Sequence, residues 1–206
     1  MILTEMSVMK FVDEVLSANA VPGGGSVAAL SGSLGASLLG MVCNITINKA
    51  TRKGVEPDYE VSSALAKVSN AQRQFIGLID SDSTAFSKVM DAFKLPKDSD
   101  EEKAARKIAI EEAYKLATKP PLAISELAFS LLETASILMV KGDKNALSDV
   151  KVAVKMLNSA VWGGVYNVEI NLDGIKDDAF NAHMREMVTA ITVTIDNKCC
   201  DILSLQ

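Results

Sequence analysis

The chain contains a single histidine, His183, and three cysteines in 206 residues. Cys199 and Cys200 are adjacent and Cys43 lies in an apolar run, so the cysteines form neither a disulfide framework nor a zinc-ligand pattern. One histidine also excludes His-rich metal sites and most nucleophile systems that pair serine or cysteine with histidine. We therefore expect no metal site.

Basic charge is also scarce, with 21 lysines and arginines against 26 acidic residues and a net charge of -5. Nucleic-acid-binding domains need a basic surface, so we expect no nucleic-acid partner. The first residues, MILTEMSVMKFVDEV, carry acids and no basic region that would indicate a secretory signal. The sequence therefore predicts a cytoplasmic protein.

No stretch alternates with the period of a β-strand, and nearly every long segment has helical period. We predict an all-α fold, a single-domain bundle of about seven helices over residues 1–206. Capping residues and prolines place the helix starts at these positions: Thr4 or Ser7, Ser26, Asp58, Ser99, Leu122, Asn145 or Ser148, and Asp177 or Asp178. The first helix is predicted to bury four apolar side chains, Val8, Phe11, Val12 and Val15.

The segment from Val27 to Ile47 carries no charge and is long enough to cross a bilayer. Five polar side chains dilute its hydropathy and no aromatic belt flanks it; they are Ser31, Ser33, Ser37, Asn44 and Thr46. We interpret it as a long central helix of the bundle, rich in glycine, alanine and serine, and expect no membrane partner.

Three consecutive glycines, Gly23, Gly24 and Gly25, follow Pro22 and precede Ser26 directly before this helix. Without Cβ atoms the backbone N–H groups are accessible, and the helix dipole adds positive potential there. An anion, a carboxylate or a polarised carbonyl can bind at such a terminus. The turn lacks the Lys-Ser/Thr ending of a nucleotide P-loop, so ligand contact and a packing turn both remain open.

Asp82 is the charged member of an otherwise core-facing stripe that runs Val61, Leu65, Val68, Gln72, Phe75, Ile79, Asp82, Phe86, Val89 and Phe93. A carboxylate at such a position must be paired, hydrogen-bonded or protonated. Desolvation raises its pKa toward the range useful for proton transfer. The alternative role for Asp82 is to accept hydrogen bonds from a neighbouring helix terminus.

A third group of polar residues, Lys144-Asn145-x-x-Ser148-Asp149, begins a helix that is apolar nearly all round. Asp149 starts a face on which polar residues alternate with small ones, as in a pocket wall. From the residues alone, capping of the helix is the favoured interpretation of Asn145, Ser148 and Asp149.

The order of these motifs resembles the formiminotetrahydrofolate cyclodeaminase family. The resemblance begins at Pro-Gly-Gly-Gly-Ser-Val-Ala-Ala-Leu from Pro22 and continues through Asp82-x-x-Ala85-Phe86, Pro120-Pro121-Leu122, the Lys144–Asp149 motif and Asn167-Val168-x-Ile170-Asn171. The family includes the C-terminal domain of formiminotransferase-cyclodeaminase and stand-alone methenyltetrahydrofolate cyclohydrolases. It implies an all-helical homodimer that binds a tetrahydrofolate derivative in a cleft between helices.

The resemblance implies that the substrate pocket is formed by Gly23, Gly24, Gly25, Ser26, Asp82, Asn145 and Asp149, with Lys49 as a further substrate-binding residue. We predict that Asp82 and Asp149 are the catalytic pair: Asp82 is the acid/base, and Asp149 positions the ligand or shares the proton. With a tetrahydrofolate derivative as substrate, we expect no resident cofactor. The family pattern Leu-Thr-x-Gly-Lys-Lys is only partly present at 45–50, so Lys49, or else Arg52 or Lys53, is the implied anchor for the glutamate tail. The implied activity is a cyclodeaminase, with a cyclohydrolase as the alternative. A non-catalytic folate-binding protein or a helical oligomerisation protein is the alternative of another class.

Overall fold

The computed structural model describes residues 2–205, and these residues form eight α-helices with no strand. The helices are α1 (Val8–Leu16), α2 (Gly24–Arg52), α3 (Tyr59–Phe93), α4 (Asp100–Ala117), α5 (Lys119–Ser130), α6 (Leu132–Lys141), α7 (Leu147–Leu172) and α8 (Asp178–Ser204). Short 3-10 turns lie at Leu3–Glu5 and Lys144–Ala146. The predicted all-α bundle is confirmed.

The helix count differs from about seven because the helix predicted from Leu122 to Val140 is divided into α5 and α6. Thr118 and Leu131 each break the helical path for one residue, so α4, α5 and α6 follow one another end to end. The two prolines after Lys119 do not interrupt α5, since they occupy its first turn, where backbone N–H groups have no helical acceptor.

Several predicted helix starts are confirmed by side-chain caps, because a cap depends only on residues a few positions away. Ser7 accepts from the Lys10 N–H, Asp58 caps α3, and Ser99 forms a capping box with Glu102. Asp177 accepts from the Phe180 N–H at the start of α8. These bonds fix where the helices begin.

The predicted cap at the start of α7 is wrong. Neither Asn145 nor Ser148 caps α7, whose N-cap position is Ala146 without a side-chain hydrogen bond. Asp143 accepts from the Asn145 N–H instead and caps the 3-10 turn. The chain enters α7 through this 3-10 turn, so the side-chain cap, Asp143, lies before the turn and not at the first residues of α7.

The predicted burial of the first helix is also wrong for three of its four apolar residues. Phe11 is buried, whereas the accessible fractions of Val8 and Val12 are 83% and 58%, and Val15 is exposed as well. Only one side of α1 reaches the body of the chain, so the remaining apolar side chains face outward.

Helix α2 is the centre of the bundle, and it packs most extensively against α3 and α7. Small residues allow both approaches: Gly32 lies against the Phe75 ring of α3, and Gly163 of α7 lies against Ala28. Because Gly25 adjoins Asp82 and Gly32 adjoins Phe75, α2 and α3 run antiparallel. This register brings the start of α2 to the later part of α3.

Two helical runs, Gly24–Arg52 and Asp100–Lys141, are long and apolar enough to cross a membrane by length and composition. In the first, 61% of the most apolar window is buried inside the molecule. This burial agrees with the interpretation of α2 as the central helix of the bundle.

Candidate functional site at the start of the central helix

The glycine turn exposes the N-terminal end of α2. Gly23 is the N-cap residue and has no side chain to cap the helix, and the first helical hydrogen bond runs from the Val27 N–H to the Gly23 carbonyl at 3.1 Å. The N–H groups of Gly24, Gly25 and Ser26 therefore have no acceptor within α2. Their dipoles give this end of the helix a positive potential.

Asp82 of α3 lies directly across this helix end. A Cβ atom placed on Gly25 would be 2.2 Å from Asp82 Oδ1 and 2.6 Å from Oδ2, so the carboxyl group occupies the space that the glycine leaves. The Ser26 hydroxyl lies 3.3 Å from Asp82 Oδ2. The structure thus brings Asp82 together with the predicted glycine turn, while its part in catalysis stays a prediction.

The electrostatic balance at Asp82 is set by burial. Desolvation raises the pKa of this carboxyl group above its ordinary value, and hydrogen bonds from the Ser26 hydroxyl and backbone N–H act in the opposite direction. No charged group among the described residues contributes to the pKa shift. Asp82 therefore combines a place at the uncapped start of α2, where Gly24 is exposed and Gly25 and Ser26 are buried, with a carboxyl group that takes up a proton more readily than a solvated aspartate.

Asn167 of α7 forms a third side of this site. A Cβ atom on Gly24 would lie 3.1 Å from Asn167 Nδ2, and that amide donates to the Gly163 carbonyl at 2.7 Å. One turn later, the Asn171 amide donates to the Ala117 carbonyl at 2.9 Å, which ties α7 to the end of α4. Neither asparagine was predicted as a site residue; their polar side chains in an otherwise apolar helix were the available signal.

The remaining predicted residues form a separate cluster at the other end of α2. Lys49 makes an ion pair with Asp143, and Asp143 also accepts from the Asn145 N–H at 2.9 Å. The Asp143 N–H donates to the Thr46 hydroxyl at 2.9 Å. The Lys49 ammonium group lowers the pKa of Asp143. These bonds join α2 to the turn before α7.

Asp149 belongs to this second end of the molecule. Gly35 contacts the Ala153 carbonyl, so Asp149 lies one helical turn farther along α2 than Gly35. With a rise of about 1.5 Å per residue, Gly25 and the level of Asp149 are separated by roughly 20 Å along the α2 axis. Within one chain, the structure does not bring Asp149, Asn145 or Lys49 to Asp82.

A groove of about 570 Å³ lies between α3, α4 and α5; Asp82 is not among its lining residues, although its chain neighbour Ser81 is. The lining includes the apolar side chains of Leu78, Ala85 and Leu116, two cations, Lys88 and Lys119, and the carboxylate of Asp80. Neither lysine forms an ion pair within residues 2–205. Neither lysine was predictable from the sequence as a site residue, because helices that are distant in sequence bring them to one groove.

Other reactive side chains lie outside the site. His183 is exposed, and Cys43 and Cys199 are buried. Over residues 2–205, no group of three or more histidine, cysteine, aspartate or glutamate side chains is arranged to hold a metal ion. The expectation of a reaction without a metal stays a prediction.

Comparison with known proteins finds relatives over most of the chain. A family model described as Formiminotransferase-cyclodeaminase matches residues 7–190. A methenyltetrahydrofolate cyclohydrolase from Methylorubrum extorquens is 42% identical over 170 residues, which are 82% of this chain and 81% of that protein. A formimidoyltransferase-cyclodeaminase from Sus scrofa is 36% identical over 88% of this chain. The chain spans about a third of that relative, 33% of its length.

A crystal structure of formiminotetrahydrofolate cyclodeaminase from Thermotoga maritima has a similar fold. The TM-score is 0.83 at 27% sequence identity, and the match covers 98% of this chain and 96% of that one. The similarity therefore extends over the whole bundle, including the helices that form both polar clusters.

Proposed function

This chain belongs to the formiminotransferase-cyclodeaminase family, and we propose that it is an enzyme of folate one-carbon chemistry. The proposed reaction is that of formiminotetrahydrofolate cyclodeaminase, which converts 5-formimino-tetrahydrofolate to 5,10-methenyl-tetrahydrofolate and ammonia. The observation that carries the proposal is the Asp82 carboxyl group, held against the open N-terminus of α2 in a desolvated position.

Cyclodeamination needs one group that accepts and then returns a proton. N10 of the folate attacks the formimino carbon and loses its proton to a base; the amino group on that carbon then takes up a proton and leaves as ammonia. Asp82 can perform both transfers in sequence, because burial places its pKa closer to the working pH than that of a solvated aspartate. The α2 terminus supplies N–H donors for a polar group of the bound folate.

A cyclohydrolase is the second candidate, favoured by the 42% identity to the Methylorubrum extorquens enzyme over most of both chains. In this reaction, water adds to the methenyl carbon of 5,10-methenyl-tetrahydrofolate, and the bond from that carbon to N5 breaks to give 10-formyl-tetrahydrofolate. Asp82 would take the proton from the attacking water and N5 would receive one on release. The same carboxyl group serves both reactions, so the site geometry does not separate them.

The groove between α3, α4 and α5 supports a position for the rest of the substrate. Its apolar side chains suit the aromatic ring of the folate, and Lys88 and Lys119 carry the charge that the glutamate carboxylates need, while Asp80 in the same groove is engaged by the Leu3 N–H and the Thr4 hydroxyl. Lys49, the anchor implied by the family pattern, is already paired with Asp143 at the opposite end of α2. We therefore assign the carboxylates to the groove.

We also propose that the chain acts in the cytoplasm as a homodimer. Helix α2 carries no charged residue from Gly24 to Asn48, yet Val27, Leu34 and Met41 are exposed to 40%, 47% and 40%. A charge-free exposed stripe on the central helix is the surface expected to bury against a second copy, in an isologous interface.

The deciding experiment incubates the purified chain with 5-formimino- and 5,10-methenyl-tetrahydrofolate in parallel. Ammonia release with the first substrate supports the cyclodeaminase, and catalysed loss of methenyl absorbance with the second supports the cyclohydrolase. Binding of reduced folate without turnover of either compound would indicate a binding protein. Absence of both binding and turnover would leave only a helical oligomerisation protein, and the proposal would be wrong.

A further inference from the structure

Ser26 is one of the six residues that the family resemblance implies for substrate binding, but its side chain is inaccessible. Its exposed fraction is 0%, and it is the third residue of α2. The hydroxyl oxygen lies 3.1 Å from the Ile79 carbonyl oxygen and 3.3 Å from Asp82 Oδ2. A bound substrate cannot touch this hydroxyl group, so its function must be exerted through one of these two neighbours.

Counting protons shows why the two contacts cannot be equivalent. A serine hydroxyl has one proton to donate and can also accept, whereas the Ile79 carbonyl and an ionised Asp82 carboxylate can only accept. When Asp82 is ionised, the hydroxyl proton can be donated to only one of the two oxygens. When Asp82 is protonated, Asp82 can donate to Ser26 while Ser26 donates to Ile79, and both contacts are hydrogen bonds.

The Ile79 carbonyl tolerates either arrangement. As a carbonyl group inside α3, it also accepts the ladder hydrogen bond from the residue four positions later. Rotation of the Ser26 hydroxyl away from Ile79 therefore leaves no buried acceptor without a partner. The cost of switching between the two arrangements is small, because a full hydrogen-bond partner is retained in each.

We propose that Ser26 is a positioning residue whose hydroxyl group follows the proton on Asp82, donating to the carboxylate and accepting from the carboxylic acid. This inference rests on the proposed function, in which Asp82 alternates between the two forms during one turnover. Ser26 thus keeps the carboxyl group in one place, against Gly25, throughout the proton transfers.

The electrostatic surroundings make Ser26 the main polar neighbour of Asp82. Helix α2 has no charged residue before Lys49, and α7 contributes the neutral Asn167 at this end. Asp80 on α3 is engaged by the Leu3 N–H and the Thr4 hydroxyl, and Lys88 and Lys119 lie in the adjoining groove. Among the described residues, the Ser26 hydroxyl is the group that hydrogen-bonds the carboxyl group, at 3.3 Å from Oδ2.

The test compares Ser26→Ala with the wild type by ¹³C NMR titration of aspartate carboxyl groups, with Asp82 assigned from the signal missing in Asp82→Asn. A hydrogen bond to a charged group is stronger than one to a neutral group, so removing the hydroxyl should raise the pKa of Asp82 by about 0.5–1 pH unit. Ser33→Ala, another buried serine of α2, is the matched control and should leave that titration unchanged.

Kinetics supply a second readout on the substrate that the wild type turns over. Ser26→Ala should lower kcat with KM unchanged, and the acidic limb of the kcat/KM pH profile, which reports the free enzyme, should move upward by the same amount as the NMR titration. An unchanged Asp82 titration, or the same change in Ser33→Ala, would overturn the inference. A wild type that turns over no folate would contradict the proposed function alone, because the titration of Asp82 needs no substrate.

Discussion

The carboxyl group of Asp82 is held in a position where burial favours its protonated form and the α2 terminus favours its ionised form. Desolvation outweighs the hydrogen bonds from Ser26, so the pKa is raised in the folded protein. A raised pKa means that the folded state binds this proton more tightly than the unfolded state. The contribution to stability is therefore complete at low pH and is lost as the pH rises through the folded-state pKa.

Asp82→Asn should consequently be at least as stable as the wild type at pH 7, because asparagine is neutral and has no such loss. Below the unfolded-state pKa, near the ordinary aspartate value of 3.8, both proteins carry a neutral side chain and their difference should vanish. Thermal unfolding of the two proteins from pH 3 to pH 8 measures this. The quantity to compare is the stability of Asp82→Asn minus that of the wild type at each pH. A smaller difference at pH 7 than at pH 4 would contradict the assignment of a raised pKa.

The two lysines of the groove should act on substrate affinity. Replacing Lys88 or Lys119 by alanine removes a charge-assisted contact to a glutamate carboxylate, so KM should rise about tenfold with kcat unchanged, and less at high salt. Lys49→Ala is the matched control and should leave KM near the wild-type value, since Lys49 pairs with Asp143. A larger effect at Lys49 than in the groove would place the glutamate tail at the opposite end of α2.

At the scale of helices, glycines decide how closely α2 approaches its neighbours. Gly163 of α7 lies against Ala28 of α2, and Gly32 of α2 is covered by the Phe75 ring of α3. The contact between Gly32 and Phe75 fits the antiparallel register of α2 and α3, and that register sets Asp82 beside Gly25. Close packing about two turns away is thus part of how the site is built.

Gly32→Ala should therefore destabilise the chain. The new Cβ would lie 2.4 Å from Phe75 Cε1, and overpacking of this kind costs about 1–3 kcal/mol. The Tm should fall by roughly 2–4 °C per kcal/mol for a chain of this size. Gly77→Ala, on the exposed side of α3 with no atom within 4 Å of a Cβ, should instead gain about 0.5–1 kcal/mol. Equal effects on Tm would show that the Gly32 contact is not close.

The sequence predicted those features that depend on neighbouring residues. Capping at Ser7, Ser99 and Asp177 was predictable because donor and acceptor are a few positions apart. The inward position of Asp82 was predictable from helical period alone. The end-to-end division of α5 and α6 at Leu131 has no proline or glycine to indicate it, so the sequence pattern predicted one helix.

At the scale of the whole molecule, the separation of the two polar clusters was not predictable from sequence. The antiparallel register of α2 and α7 sets this separation, because it carries Asp149 and Asn145 to the far end of α2. The order of motifs along the chain resembles the family, but that order does not show how far apart the motifs lie in the fold. The exposed side of α1 was missed for a related reason: periodicity shows that a helix has an apolar face, but it does not show whether this chain covers that face.

This separation predicts that Asp149→Asn keeps turnover within about threefold of the wild type, because the side chain lies roughly 20 Å along α2 from the level of Asp82. Steady-state kinetics measure the effect. A loss of a hundredfold would contradict the single-chain site. If mixing Asp149→Asn with Asp82→Asn then restored activity, the site would be shared between the two copies of a homodimer.

The central claim is that Asp82 transfers the protons of a folate reaction, and the most direct measurement is the turnover number of Asp82→Asn with 5-formimino- and 5,10-methenyl-tetrahydrofolate. General acid–base catalysis contributes about 10²–10⁴-fold, so turnover should fall by at least about a hundredfold while circular dichroism and thermal unfolding show a folded helical protein. A folded Asp82→Asn protein with wild-type turnover would contradict the account.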